Sequence, residues 1–218
     1  MEIEIGRDLF AHEAELAAAN RRLFKEKGII ALNLLAAPGA GKTSLIRKTV
    51  PLLKYSVAVI EGDPASSVDT DLLNSLGITA FQINTEGGCH LEASMVAKAL
   101  ESFQPKPGTL LIIENVGNLI CTAAFPLGES IRMVMVGASE GDDKPFKYPD
   151  IFQGADAVIL NKIDLKPYVD FDSERFRRGI RALGDQVPIF EVSCKTGEGL
   201  AELAEWLEQR VDQLWKEG

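Results

Sequence analysis

The sequence has little cysteine, little histidine and no long apolar run. Three cysteines and two histidines occur in 218 residues, and Cys89, Cys121 and Cys194 are widely spaced. Because an odd number of separated cysteines does not indicate a disulfide framework, we expect a protein of a reducing compartment. No apolar stretch reaches the roughly 18 residues that suggest a membrane-spanning helix, so no membrane partner is predicted.

Runs of basic residues are also missing. Lysine and arginine number 23 against 32 aspartates and glutamates, which gives a net charge of −9. An acidic chain of this kind is a poor candidate for gripping nucleic acid through its phosphates. The first residues, MEIEIGRDLFAHE, are acidic and lack the basic-then-apolar order of a signal peptide. We therefore expect a cytoplasmic protein that binds no nucleic acid.

What the sequence does contain is typical of a globular protein. Apolar residues make up 46% of the chain and charged residues 25%, with no linker, repeat or shift in composition that would mark a boundary. Residues 1–218 are therefore predicted to form a single domain.

Seven short apolar runs alternate with helical patterns. These runs are residues 29–36, 57–62, 80–84, 109–116, 131–137, 156–161 and 188–192. Most read as nearly continuous apolar runs without polar alternation, which indicates strands covered on both faces, as in a parallel sheet. The alternation predicts an α/β fold: a three-layer sandwich around a mostly parallel sheet of about seven strands.

Helical patterns fill the intervals and both ends of the chain. The predicted helices between strands cover residues 42–54, 66–76, 90–103 and 173–183. An extra N-terminal helix is predicted over residues 8–27, with Gly28 as its stop. A closing amphipathic helix is predicted over residues 198–215, where leucine and valine recur at spacings of three and four.

The first strand leads into a glycine-containing loop and then a helix. Residues 36–43 read A-A-P-G-A-G-K-T and fit the phosphate-loop motif G-x-x-x-x-G-K-[ST] except at Ala36. The glycines let backbone N–H groups face phosphate oxygens, and the lysine reaches the β- and γ-phosphates. The threonine hydroxyl is predicted to bind Mg²⁺. The residues expected to hold nucleotide here are Gly39, Ala40, Gly41, Lys42, Thr43 and Ser44.

Two later loops favour GTP over ATP. Residues 161–164 read N-K-I-D and resemble the N-K-x-D guanine motif of G proteins, in which the aspartate accepts from both guanine N1–H and the exocyclic amine, an arrangement of donors that adenine lacks. After the next strand, residues 193–195 read S-C-K and resemble the second guanine loop of the same proteins, where the backbone N–H after the serine is expected to meet guanine O6. The base-binding residues predicted from these loops are Asn161, Lys162, Asp164, Ser193, Cys194 and Lys195.

Acidic residues at strand ends suggest switch segments. Glu114 and Gly117 occur as E-N-V-G, similar to the D-x-x-G switch that senses the γ-phosphate. Asp63 ends the second strand and Asp69 follows six residues later; either suits Mg²⁺ ligation, although Asp69 also suits the start of a helix. Lys42, Asp69, Glu114 and Gly117 are the predicted catalytic residues. No arginine is evidently placed to assist, so hydrolysis should be slow, at about 10⁻⁴–10⁻² s⁻¹.

Two cysteines and a histidine stand apart from nucleotide chemistry. Cys89 and His90 precede a helical pattern, so Cys89 is expected at or near a helix N-terminus, and Cys121 lies four residues after Gly117. Thiolate and imidazole ligands suit Zn²⁺ or Ni²⁺, but three ligands leave a site open or completed by a second chain. Two unrelated buried thiols and a core histidine explain the same residues.

Taken together, the motifs resemble the HypB family of GTPases from [NiFe]-hydrogenase maturation. The resemblance covers about residues 28–210 and rests on A-P-G-A-G-K-T, E-G-D, G-C-H-L, E-N-V-G-N-L-I-C and N-K-I-D. It implies a P-loop GTPase that dimerises with GTP and passes nickel toward the hydrogenase large subunit with a zinc-containing partner. It also implies that Cys89, His90 and Cys121 bind nickel or zinc at the dimer interface. The Mg²⁺ residues it implies are Thr43, Asp63, Asp69 and Glu114.

Some features depart from that family, and other functions stay open. Relatives carry an N-terminal cysteine motif or a histidine-rich stretch, whereas here the first cysteine is Cys89 and the histidines are His12 and His90. Thr122 replaces a common proline. A urease-accessory GTPase is one alternative, although that family separates its metal cysteine and histidine by a proline. A P-loop kinase and a GTP-dependent dimerisation scaffold with structural zinc are the others.

Overall fold

Seven parallel strands form one sheet at the centre of the molecule. The structure, a computed structural model, describes residues 5–63 and 66–217, with side chains from residue 11 onward. The strands are β1 (Ile30–Ala36), β2 (Ser56–Asp63), β3 (Thr79–Asn84), β4 (Thr109–Glu114), β5 (Ile131–Gly137), β6 (Ala157–Asn161) and β7 (Ile189–Glu191). Their order is β3-β2-β4-β1-β5-β6-β7 and every pairing is parallel. The predicted α/β fold and its seven strands are confirmed.

Helices connect the strands and cover both faces of the sheet. They are α1 (Ile5–Glu26), α2 (Lys42–Thr49), α3 (Val68–Ser75), α4 (Ala93–Ser102), α5 (Cys121–Ala124), α6 (Lys144–Lys147), α7 (Pro149–Phe152), α8 (Ser173–Arg181) and α9 (Leu200–Glu217). None of the described helices is long and apolar enough to cross a membrane.

All six predicted helices are present, with bounds that differ from the predicted ones by up to five residues. The helix expected over residues 42–54 ends at Thr49 and continues as a short 3-10 turn, Val50–Leu52, because Pro51 cannot donate the next helical hydrogen bond. The helix expected from residue 90 begins at Ala93, so Cys89 lies in the preceding loop rather than at a helix start. The stop at Gly28 is as predicted: it adopts a left-handed φ of 64° just after α1.

Buried side chains form a layer on each side of the sheet. On one side, Leu45 and Ile46 of α2 pack with Leu73 of α3, residues of α9 and strand residues such as Ile112. On the other side, α1 and α4 pack over the β4 half of the sheet, and α7 and α8 cover the β5 and β6 half. This three-layer arrangement buries every residue of β1, β4 and β6 and all but one of β5, which explains why these strands are mostly apolar. The edge strands β3 and β7 are more exposed.

The strand order creates a crevice for a ligand at one end of the sheet. β1 and β4 are neighbours, and the chain runs from the carboxyl end of β1 toward β2 on one side of this pair and from the carboxyl end of β4 toward β5 on the other side. In open parallel sheets such a reversal creates a crevice at the carboxyl ends of the strands, where ligands bind. All the motifs singled out in the sequence follow strands at this edge.

Candidate nucleotide and metal sites

The glycine loop follows β1 and ends where α2 begins. Gly39 and Gly41 adopt positive φ values of 74° and 105°, which side chains rarely tolerate, and Gly41 is the N-cap of α2. A Cβ at Gly41 would lie 2.7 Å from Asn161 Nδ2. The loop therefore needs glycine both for its conformation and for its close contact with the N-K-I-D segment, and it presents a helix N-terminus to an anion.

Three oxygen-bearing side chains converge beside this loop. Thr43 Oγ1, at the start of α2, lies 2.9 Å from Glu114 Oε1 and 3.1 Å from Asp69 Oδ2. One hydroxyl hydrogen cannot serve two carboxylates at once, whereas a cation between them contacts all three oxygens. Hard oxygen ligands of this kind are those that Mg²⁺ prefers, so the donor set fits the ion implied by the phosphate loop. Asp63 lines the same cavity, and its Oδ1 accepts from the Ser66 N–H at 2.6 Å.

Glu114 is the most buried member of this group. Its Oε2 is buried and has no hydrogen-bond partner in the part of the chain that the structure describes. Burial raises the pKa of Glu114 to about 7, and the nearby Lys42 ammonium opposes that rise. Because a buried carboxylate without a counter-charge is costly, a cation at Thr43 would stabilise its ionised form.

The N-K-I-D segment holds the phosphate loop from the other side. Asn161 Nδ2 donates to the Ala40 carbonyl at 2.9 Å, and Asn161 Oδ1 accepts from the Cys194 N–H at 3.2 Å. Lys162 has a positive φ of 61°, and its Nζ donates to the Gly39 carbonyl at 2.6 Å. Asn161 thus ties together the phosphate loop and both predicted base loops.

The second base loop differs in one respect from the prediction. The Cys194 N–H, expected to meet guanine O6, is paired with Asn161 inside the protein. Ser193 is fully buried, and its hydroxyl donates to Asp164 Oδ1 at 2.6 Å, so it orients that carboxylate and does not itself reach the cavity. Burial raises the pKa of the Cys194 thiol to about 11.

Two adjoining cavities receive the predicted nucleotide residues. The base-side cavity has a volume of about 330 Å³ and is lined by Gly41, Ser44, Asn161, Lys162, Asp164, Leu165, Cys194 and Lys195. The phosphate-side cavity has a volume of about 360 Å³, and the predicted residues that line it are Gly39, Gly41, Lys42, Thr43, Asp63, Asp69, Glu114 and Gly117. The two share Gly41. Of the predicted nucleotide residues, Ala40 and Ser193 line neither cavity.

Gly117 lies against the phosphate loop. A Cβ at this position would be 2.9 Å from Pro38 Cα and 3.0 Å from Pro38 N, so no larger residue fits without displacing the backbone of either segment. The E-N-V-G segment and the phosphate loop therefore form one continuous wall of the phosphate-side cavity.

Cys89, His90 and Cys121 come together beside this wall. Their ligand atoms all lie within 4.8 Å of one another, and each residue is partly buried. Cys89 Sγ lies 3.5 Å from His90 Nδ1. The hydrogen bond between the two thiols raises the pKa of Cys121. Two sulfurs and one imidazole at this spacing can hold Zn²⁺ or Ni²⁺ and leave further coordination positions open.

The ring of His90 is fixed by an aromatic neighbour. Phe125 stacks on it with ring centroids 3.8 Å apart and an interplanar angle of 24°. Nε2 of His90 is buried and has no hydrogen-bond partner among the described residues. The stacking sets the plane of the imidazole and so the direction from which an ion approaches it.

Cys121 is held by the loop that follows Gly117. The side-chain oxygen of Asn118 accepts from the N–H groups of Ile120 and Cys121 at 2.7 and 3.0 Å, which starts the short helix α5. The hydroxyl of Thr122 donates to the Asn118 carbonyl, a contact that proline at this position would lack. Only three residues separate Gly117 from Cys121, so a short stretch of backbone links the position of the Cys121 thiol to that of Gly117.

Some residues around these sites were not singled out from the sequence. Leu165 lines the base cavity, Phe125 stacks on His90, and Asn115 and Val116 line the phosphate cavity. Asn115 and Val116 lie inside the recognised E-N-V-G motif, which is a usable signal. No pattern in the sequence marks Phe125 or Leu165.

The sheet, the glycine loop and the two base loops define a P-loop GTPase fold. Residues 31–191 match the family model described as "CobW/HypB/UreG, nucleotide-binding domain", and the chain belongs to this family. That match covers the phosphate loop, the cysteine–histidine cluster and the N-K-I-D segment.

Individual relatives agree with this assignment. The hydrogenase maturation factor HypB of Rhizobium leguminosarum bv. viciae is 45% identical over 208 residues, which are 94% of this chain and 70% of that protein. The probable hydrogenase maturation factor HypB of Methanocaldococcus jannaschii is 36% identical over 214 residues, 97% of each chain. The crystal structure of HypB from Helicobacter pylori in complex with nickel superposes with a TM-score of 0.88 at 33% identity, covering 93% of this chain and 96% of that one.

Proposed function

We propose that this chain is a GTP-hydrolysing metallochaperone that binds nickel at Cys89, His90 and Cys121 and delivers it during hydrogenase maturation. The observation that carries the proposal is the placement of Cys121, four residues after Gly117, within 4.8 Å of the other two ligands. The relatives described above are hydrogenase maturation factors, and one was crystallised with nickel. The whole chain acts as one GTPase domain in this proposal.

GTP occupies the two adjoining cavities. Asp164 accepts from the guanine base, while the Lys42 ammonium and the N–H groups of the glycine loop contact the phosphates. Thr43, Asp63, Asp69 and Glu114 would hold Mg²⁺, which neutralises charge on the phosphates when bound. No described arginine lines either cavity, which supports slow hydrolysis by the chain alone, at about 10⁻⁴–10⁻² s⁻¹.

Nucleotide state controls the nickel site in this proposal. When the Gly117 N–H binds a γ-phosphate, the loop to Cys121 shifts and the thiol moves relative to Cys89 and His90. Hydrolysis reverses the shift and releases nickel. Linkage then requires that nickel changes GTP affinity by the same factor by which GTP changes nickel affinity.

A second copy of the chain completes the site. Three ligands leave at least one coordination position open, and Ile120, beside Cys121, is 68% exposed although apolar. A homodimer formed across this surface would cover Ile120 and bring two clusters together. Zinc is the competing metal for the same ligands. A zinc-containing maturation partner and the hydrogenase large subunit are the proposed recipients.

Calorimetric titration tests this function. Ni²⁺ is titrated into the wild type, Cys121→Ala and Asp156→Asn, each loaded with GDP and then with a non-hydrolysable GTP analogue, and mass is measured by light scattering. Nickel affinity should depend on nucleotide in the wild type and in Asp156→Asn, whose side chain pairs with Arg210 and lies outside the cluster and both cavities, and lose that dependence in Cys121→Ala. Equal nickel affinity in both nucleotide states of the wild type contradicts the proposal.

A further inference from the structure

Asn115 is a buried amide that contacts both the switch and the metal loop. It follows β4 directly and is 1% exposed. Its Oδ1 accepts from the Leu91 N–H at 3.1 Å and from the Val116 N–H at 2.9 Å. Leu91 is the residue after His90, and Val116 is the residue before Gly117. A single oxygen atom therefore joins the backbone of the metal loop to the backbone of the switch.

The rest of the hydrogen-bond network fixes which way this amide points. The Glu129 carboxylate accepts from the Leu127 N–H at 2.8 Å and from Asn33 Nδ2 at 3.2 Å. A carboxylate only accepts, so Asn33 turns its Nδ2 to Glu129 and its Oδ1 to Asn115 Nδ2, 3.3 Å away. That leaves the oxygen of Asn115, and not its nitrogen, facing the two N–H groups.

Apolar surroundings make these bonds costly to break. Leu91 and Ile113 are fully buried in the layer between the sheet and α4. A backbone N–H that loses its acceptor there finds no water to replace it. The backbone N–H of Asn115 donates to the Leu34 carbonyl of β1, so its backbone is anchored to the sheet. Its side chain makes the contacts that link the two loops.

We propose that Asn115 is a positioning residue that transmits movement of the switch to Cys89 and His90. The covalent path from Gly117 reaches only Cys121. The other two ligands belong to a different loop, and the shared oxygen of Asn115 gives that loop its own connection to the switch. This inference rests on the proposed function, because it assumes that nickel binds the cluster and that nucleotide alters its affinity.

Asn20 supplies a matched control on the same side of the sheet. It is 2% exposed and also makes two hydrogen bonds to backbone, from Nδ2 to the Ala93 carbonyl at 2.8 Å and to the Leu127 carbonyl at 3.0 Å. Asn20→Ala therefore removes two buried hydrogen bonds to the backbone, the same number that the Leu91 and Val116 N–H groups lose in Asn115→Ala. Asn20 makes neither of its two bonds to the switch.

The experiment measures nickel affinity with GDP and with a non-hydrolysable GTP analogue in wild type, Asn115→Ala and Asn20→Ala. The ratio of the two affinities, about 5–150-fold for coupled sites in general, should fall toward one in Asn115→Ala and persist in Asn20→Ala. Asn115→Asp keeps an acceptor oxygen for both N–H groups, and its protonated carboxyl can still donate to Asn33 Oδ1, so this variant should restore part of the ratio. Binding of the GTP analogue to both alanine variants is measured first, so that the nickel affinities compared are those of nucleotide-bound proteins.

The outcomes separate this inference from the function on which it rests. If the two nickel affinities of the wild type are equal, both the proposed function and this inference are wrong. A wild-type ratio well above one that survives in Asn115→Ala, or that is lost equally in Asn20→Ala, overturns the inference alone. Should Asn115→Ala fail to fold, hydrogen exchange of the Leu91 amide in the wild type decides: its rate should differ between the two nucleotide states, and identical rates refute the role of Asn115.

Discussion

Glu114 and Asn115 are consecutive residues whose side chains point to opposite faces of the sheet. Glu114 Oε1 lies 2.9 Å from the Thr43 hydroxyl on the α2 side, whereas Asn115 Oδ1 accepts from the Leu91 N–H at 3.1 Å on the α4 side. The alternation of side chains along a strand produces this divergence at the end of β4. The end of one central strand therefore contacts both the phosphate cavity, through Glu114, and the loop that carries Cys89 and His90, through Asn115.

Replacing Asp164 with asparagine should change which base is bound. In the proposed function the Asp164 carboxylate accepts from two guanine donors, whereas an amide can accept from only one of them. Loss of a charge-assisted hydrogen bond is worth about 1.5–3 kcal/mol, so GTP affinity should fall by about 10- to 100-fold. Xanthine carries a carbonyl in place of the exocyclic amine, so the variant should bind XTP better than the wild type does.

Competition binding with GTP and XTP measures this change. Asp156→Asn serves as the control, because Asp156 pairs with Arg210 at 3.1 Å and lines neither nucleotide cavity. Equal losses of GTP affinity in the two variants would show that Asp164 does not contact the base.

Gly117→Ala should separate GTP binding from GDP binding. The added methyl group meets Pro38 backbone at 2.9 Å, which must shift the switch away from the phosphate loop. Overpacking of this kind costs about 1–3 kcal/mol, and the strain is greatest when a γ-phosphate draws the two segments together. Affinity for a GTP analogue should fall about tenfold or more, with a smaller change for GDP.

Gly184→Ala is a suitable comparison for this substitution. Its added methyl group lies 2.8 Å from a methyl of Val187, a side chain that can move, and the site is remote from both cavities. Fluorescent-nucleotide titration should give wild-type affinities for this variant. A Gly117→Ala protein that binds the GTP analogue normally contradicts the contact between switch and phosphate loop.

Cys194 should be unreactive at neutral pH. Burial raises its thiol pKa from the ordinary 9.0 to about 11, a shift of about two pKa units. The folded state therefore favours the thiol, and the associated stability is present below pH 9 and lost as pH rises from 9 to 11. In a Cys89→Ala/Cys121→Ala protein, alkylation of Cys194 at pH 8 should be about 100-fold slower in the folded state than in the unfolded state. Each pKa unit lowers the thiolate fraction tenfold.

Rates of iodoacetamide labelling followed by mass spectrometry test this pH dependence. The folded rate should climb about tenfold per pH unit up to pH 10, and GTP should slow it further because Cys194 lines the base cavity. A folded rate at pH 8 equal to the unfolded rate would mean that the thiol is not buried in solution.

The sequence alone predicts the fold because its central strands are buried on both faces. Mostly apolar runs such as residues 131–137, where Arg132 is the single charged residue, leave little choice of structure, and all seven runs overlap a strand. The residues of the phosphate and base loops can also be predicted from the sequence, since each motif follows a strand directly. The carboxyl ends of parallel strands meet at one edge, which brings together loops that are far apart in the chain.

Contacts between distant side chains could not be read in the same way. The stacking of Phe125 on His90 joins residues 35 positions apart and follows no periodicity. The Asn115–Asn33 bond crosses 82 positions, and asparagine is as common in turns as in buried networks. Helix starts also escaped prediction: α4 begins at Ala93 rather than at residue 90, because nothing in the sequence fixes where the loop carrying Cys89 ends.

Phe125→Leu should weaken nickel binding without altering GTP binding. Leucine keeps most of the apolar volume but loses the stacking on His90, where the ring centroids are 3.8 Å apart. Such a pair contributes about 0.5–1.5 kcal/mol, and the freed imidazole must then be ordered by the metal itself, so nickel affinity should fall about 3- to 10-fold. The control is Phe103→Leu, which removes a stacked pair with Phe81 away from the cluster. Competition with a chromophoric chelator measures both affinities. A loss of nickel affinity in Phe103→Leu as large as that in Phe125→Leu would assign the effect to general loosening of the α4 side rather than to the orientation of His90.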